Sequence, residues 1–234
     1  MKRLGIALAL LIACLHSTKG DTAMKRLGIA LALLIACAIA VPMAVNRPAP
    51  IGAFSGTPAT LKEDMRKLWT DHVVWTRNYI IAAAAGAPDA DASASRLMKN
   101  QEDIGAAVAG FYGKAAGDSL TTLLKEHITI AVDVIKAAKA GDKSGLATAD
   151  ARWQKNGDDI ATFLSKANPN WPKATLADMM KKHLATTKTE VTARLNKDWA
   201  GDVRAYDAVY DHILMMSDAL AAGIVKQFPD KFTK

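Results

Sequence analysis

Leu120-Thr-Thr-Leu-Leu-Lys-Glu-His127-Ile-Thr-Ile-Ala-Val-Asp-Val134 is the stretch on which the fold turns. Leu120, Leu124, His127, Ala131 and Val134 return every three to four positions, the interval that gathers side chains on one face of an α-helix. An imidazole occupies a place in that apolar row. Whatever buries the row therefore buries His127 with it.

The same spacing recurs on both sides. Leu61, Met65, Leu68, His72, Trp75 and Tyr79 form the first row, opened by Thr60 with Glu63 three residues later as a capping box and closed at Gly86-Ala87-Pro88. A second row runs over about 90–112 through Leu97, Ile104, Val108 and Phe111, and the quoted one extends over about 118–139. Gly113 and Gly141 close these two. A fourth, about 143–167, carries Trp153, Ile160, Phe163 and Leu164 and stops at Asn168-Pro169-Asn170-Trp171-Pro172. The fifth, about 175–198, uses Leu176, Met180, His183, Thr187 and Val191, and the sixth, about 201–228, uses Tyr206, Val209, Ile213, Met216, Leu220 and Ile224. Long helices joined by short connections predict an all-α protein, an antiparallel bundle of about six helices.

A shift of 56 residues superimposes 96–137 on 152–193 without a gap and matches Arg96 with Arg152, Lys99 with Lys155, Asn100 with Asn156, Asp103 with Asp159, Ile104 with Ile160, Leu120 with Leu176 and His127 with His183. A diverged internal repeat is expected from this. Asp71-His72 and Asp211-His212 suggest that the first segment pairs with the last, an order suited to a pseudo-twofold axis.

The N-terminus reads differently. Residues 24–37 repeat residues 1–14 letter for letter, and each copy has a basic start followed by an apolar run, the pattern of a secretory signal. The second copy continues into the small-x-small pattern Ala38-Ile39-Ala40 and stays apolar to Val45, so it serves either as a cleaved signal or as a membrane anchor. Leu34-Ile35-Ala36-Cys37 resembles a lipoprotein processing box. The chain thus divides into a signal or anchor segment over 1–45, a Pro/Gly/Ala-rich linker over 46–56 and a helical domain over 57–234, with an exported location expected.

Half of the 234 residues are apolar and 23% are charged, a balance that suits a globular core and not a disordered chain. Five of the 30 basic residues and one of the 23 acidic ones precede position 46, leaving 25 against 22 in the domain. The basic excess belongs mostly to the leader and gives no reason to expect nucleic acid as a partner. Both cysteines, Cys14 and Cys37, lie in the leader copies, so disulfide, thiolate-metal and cysteine-nucleophile chemistry is excluded from the domain. No phosphate loop, nucleophile elbow or Ser/His/Asp constellation points to an enzyme.

What remains is imidazole and thioether. His72, His127 and His183 lie in the apolar rows and His212 flanks one. A buried imidazole must satisfy two nitrogens, by a hydrogen-bond partner or by a metal. The Glu-x-x-His spacing of carboxylate-bridged di-iron bundles is absent, because Trp69, Leu124, Met180 and Val209 occupy the positions three before these histidines. An iron site would have to borrow acids from other helices, with Asp103 and Asp159 as candidates. Met179 and Met180 precede His183 at helical spacing, and Met215 and Met216 follow His212. Thioether with imidazole suits copper, which makes copper the first expectation and iron the second. The competing expectations are polar networks that only set helix register, with Asn100 and Asn156 bonding toward the histidines, and a carrier of apolar ligands between Ala-rich faces. Trp171, between two prolines, is expected to offer a contact surface.

Trp69-x-x-His72-x-x-Trp75-Thr76-Arg77, Asn100-Gln101-Glu102-Asp103-Ile104-Gly105, Lys125-Glu126-His127-Ile128, Asn168-Pro169-Asn170-Trp171 and Phe228-Pro229-Asp230-Lys231-Phe232 together resemble a group of small exported bacterial proteins. The resemblance implies export and a helical fold, and no particular chemistry. The sequence thus leads to an exported, non-catalytic helical bundle that binds a transition metal, or else to a structural or interaction module of the cell envelope.

Overall fold

The computed structural model describes residues 56–232, so the duplicated leader and nearly all of the linker lie outside the described part. Six helices follow one another: α1 (Pro58–Ala85), α2 (Ala90–Tyr112), α3 (Lys114–Ala140), α4 (Lys143–Ala167), α5 (Lys173–Leu195) and α6 (Trp199–Gln227), with a short 3₁₀ turn at Pro229–Lys231. Extended pairing among the described residues is one parallel bridge between Gly56 and Phe232. The all-α bundle expected from the apolar rows is the observed architecture.

Local chemistry sets the ends. The cap of α1 is Thr57, not Thr60: its side chain accepts from the Thr60 N–H, and Pro58 takes the first helical position. Proline is favoured there because its missing N–H would be unpaired in any case, so the helix starts one turn before the expected capping box. Asp142 and Asp198 cap α4 and α6 by accepting from the N–H of Gly145 and Gly201. Gly86 and Gly141 end α1 and α3 in the left-handed region, with φ of 67° and 69°.

Each helix packs on its neighbour in the chain, and α6 returns to α1, which closes the ring. In addition α1, α3 and α5 touch one another, so they form the inner set and α2, α4 and α6 lie around them. Burial follows that division at near-constant spacing. Met65, Leu120 and Leu176 are buried on the three inner helices, as are Ile80, Ile135 and Val191. On the outer helices the buried sets are Leu97, Trp153 and Val209, then Ile104, Ile160 and Met216, then Val108, Leu164 and Leu220. Helices of the two kinds alternate through three hairpins. This differs from the expected match of the first segment with the last, because His72 stands on an inner helix and His212 on an outer one.

Trp171 is 4% exposed, and so is not the contact surface expected of it. The loop between α4 and α5 turns inward and lays the indole over Gly223 of α6, with the Tyr112 ring 5.7 Å away. A Cβ at position 223 would clash with the indole nitrogen. Gly223→Ala should therefore cost about 1–3 kcal/mol by overpacking, read as a lower urea midpoint with unchanged slope. An unaltered midpoint would show that the loop yields freely.

Candidate metal centre

The rows that build the core carry four imidazoles into it. His72 on α1, His127 on α3, His183 on α5 and His212 on α6 are 3%, 3%, 5% and 7% exposed. Their rings form one layer with His183 at its centre: the His183 centroid lies 5.8 Å from that of His72, 6.2 Å from that of His127 and 6.5 Å from that of His212. Trp69 and Trp153 wall the layer, with centroids 5.6 Å from His72 and 5.3 Å from His127.

Outer helices hold the layer by reaching for carbonyls on inner ones. Asn100 Nδ2 donates to Leu68 O at 3.0 Å, Asn156 Nδ2 donates to Leu123 O at 3.2 Å, and His212 Nε2 donates to Met179 O at 2.8 Å. Leu68, Leu123 and Met179 each stand one turn before an inner histidine. The expected bonding of the asparagines toward the histidines is realised at Asn156, which meets His127, but no such bond reaches His183.

These contacts dictate where protons sit. Asn156 spends its amide hydrogens on Leu123 O and, at 3.5 Å, on Glu126 Oε2, so its Oδ1 accepts from His127 Nδ1–H at 2.7 Å. His127 Nε2 is then a bare lone pair, buried and without a hydrogen-bond partner. His183 Nδ1 is likewise buried and unpartnered. Around His72 the geometry is crowded: Gln101 Nε2 has two hydrogens but three acceptors in reach, Leu97 O at 2.8 Å, Asn100 Oδ1 at 3.1 Å and His72 Nδ1 at 3.3 Å.

Burial keeps His72, His127 and His183 neutral. Desolvation pushes His72 down to about 3 and His127 down to about 4, with the neighbouring His127 lowering His72 further. His183 falls well below 6.5 for the same reason, reinforced by the histidines around it. Neutral imidazole with a fixed tautomer is the form that ligates metals.

Two small cavities flank the layer, and His72, His127 and His183 line both. The larger, about 30 Å³, is completed mainly by aliphatic side chains together with Met179, Met180 and Met216. That is room for an ion or a water molecule and for no larger ligand. An apolar-ligand carrier is not what this interior suits.

The other candidate ligands stand elsewhere. Met215 is 50% exposed, because its place on α6 faces away from Met216 and the core. Asp103 and Asp159 pair across one helical turn with Lys99 and Lys155, at 2.6 Å for the second, on the outer surface of α2 and α4. The positions three residues after Asn100 and Asn156 point outward when the asparagines point inward. His212 belongs to the layer but does not line the larger cavity. Among the described residues no three His, Cys, Asp or Glu side chains form a group able to hold one ion.

A buried charge network went unread in the sequence. Glu190 and Asp202, 1% and 2% exposed, share Arg77 at 2.7 and 3.0 Å, and Arg194 reaches Asp202 at 3.2 Å. Desolvation raises Glu190 to about 7, with Arg77 opposing. Its place corresponds to Tyr79 on α1 and Val134 on α3, so an acid in an apolar row was the available signal. Gln101 was equally hidden, since Gly157 and Ile213 occupy the matching sites of α4 and α6.

The folded values of His72, His127 and His183 lie below the ordinary 6.5, so at lower pH the unfolded chain binds more protons than the folded one. Stability should fall as pH drops from about 6.5 toward 4, His72 and His127 each contributing on the order of several kcal/mol at the extreme and His183 acting in the same direction. Glu190 acts in the opposite sense, its contribution being lost as pH rises toward about 7. Urea midpoints measured across this range should decline on acidification, and less steeply in His127→Gln; a midpoint indifferent to pH would contradict neutral burial. No protein-family model, curated protein or solved structure matches the chain, so its function has to be read from this interior.

Proposed function

We propose that the protein is an exported helical bundle that binds a transition-metal ion inside its histidine layer and catalyses nothing. One observation carries the reading: His127 and His183, each with a buried nitrogen that has no hydrogen-bond partner, line the same cavity as Met179, Met180 and Met216. Leaving such groups unmade costs about 1–3 kcal/mol apiece, a cost that a bound ion would recover. The second nitrogen of His127 is held by Asn156, the kind of outer contact that orients a metal-binding imidazole. Copper is favoured over iron, because Asp103 and Asp159, the acids an iron site would need, are engaged by lysines at the surface. Export rests on the doubled leader, whose second copy would also serve as a membrane tether if retained.

A second reading is supported by the lack of any three-residue His/Cys/Asp/Glu group among the described residues. On that reading the layer is a packing device of a structural or interaction module, with the cavity sized for one water. Tag-free protein exposed to copper, iron and zinc separates the two. The metal reading expects one equivalent of ion retained per chain after desalting, and a melting point raised by several degrees at 100-fold excess over Kd. It also expects both effects to disappear in His127→Gln/His183→Gln. Protein that retains no stoichiometric metal and melts identically with or without it would leave the packing role alone.

A further inference from the structure

We infer that the ion suited to this site is a soft monovalent d¹⁰ cation, Cu(I) in the cell and Ag(I) as its redox-inert stand-in. The inference rests on the metal reading above and specifies the ion.

Charge is the first reason. The ligand atoms around the larger cavity are imidazole nitrogens and thioether sulfurs, none of them anionic. The carboxylates buried nearest along α5 and α6, Glu190 and Asp202, are already matched by Arg77 and Arg194. A divalent ion would bring two uncompensated charges into an apolar interior, where desolvation of an unpaired charge costs several kcal/mol or more. A single charge halves the field to be compensated.

Ligand number is the second. Zinc in a structural site asks for four ligands of the N, S⁻ or O type, and iron for nitrogen and carboxylate. Among the described residues no three His, Cys, Asp or Glu side chains form a set able to hold one such ion. Cu(I) accepts two or three ligands and takes thioether readily. The His127 and His183 rings, stacked with planes 23° apart and centroids 6.2 Å from each other, line the larger cavity together. Met180 and Met216, both buried, line that cavity as the available third ligands, with half-buried Met179 beside them. Leu123 and Leu124 stand on α3 where α5 has Met179 and Met180, and Ile104 and Ile160 stand where α6 has Met216. At these cavity-lining places it is the third hairpin, the one that also brings His183 and His212, that carries thioethers in place of hydrocarbon.

The test is competition of the tag-free protein against a chromophoric Cu(I) chelator under anaerobic, thiol-free reducing conditions, with Ag(I), Zn(II) and Fe(II) titrated in parallel. Expected are one Cu(I) or Ag(I) per chain and at least 100-fold weaker binding of Zn(II) and Fe(II). Met180→Leu/Met216→Leu, a volume-conserving change that leaves the apo melting point in place, should weaken Cu(I) at least tenfold. Zn(II) or Fe(II) bound as tightly as Cu(I) would overturn the monovalent assignment while leaving a metal protein. Undiminished Cu(I) affinity in the double leucine variant would overturn the thioether ligation on which it stands. Failure of every ion to bind would remove both this inference and the metal reading.

Discussion

Outer helices hydrogen-bonding to carbonyls of inner ones is the constraint on which the rest of this bundle depends. A carbonyl one turn before a histidine already accepts its own helical bond, yet it has a second lone pair that a neighbour can use. Asn100, Asn156 and His212 take that lone pair on Leu68, Leu123 and Met179. Each bond fixes the axial register between the two helices of a hairpin and sets the azimuth of the inner one. With three hairpins locked in this way, His72, His127 and His183 come to one level of the core.

Bringing them to one level sets up the electrostatics. Imidazoles 5.8 and 6.2 Å apart and shut off from water cannot carry charge together, so His72, His127 and His183 remain neutral and each keeps a lone pair. In the first two hairpins a side-chain amide ends the network. The third replaces Asn with His212, replaces leucines with Met179 and Met180, and introduces Glu190 into an apolar row. That difference concentrates thioether, imidazole and buried charge on α5 and α6. Arg77 crosses from α1 to meet Asp202 and Glu190 there, and Tyr206 packs under that guanidinium at 4.5 Å.

Much of this is legible in the residues themselves. Periodicity at three to four positions located all six helices, because burial of a stripe is a local property of sequence. The same stripes foretold inward histidines. Asn100 and Asn156 were recognised as network residues from their matched surroundings. Asp103 and Asp159 were misplaced for a simple reason: three residues along a helix is about 300° of rotation, enough to leave the buried face when the first residue already sits at its edge. Met215 fails on the same count beside Met216.

Sequence alone determined which apolar rows must be hidden and that no thiolate could stand among them, since the domain is free of cysteine and its rows carry histidine and methionine. Tertiary structure decided which of them meet. The alternation of inner and outer helices, the choice of Met179 O as the partner of His212, the lone pairs left on His127 and His183, and the Arg77 bridge all join residues tens of positions apart in the chain. Contacts of that kind depend on how hairpins dock against one another, a property that a period of 3.6 residues along one helix does not encode.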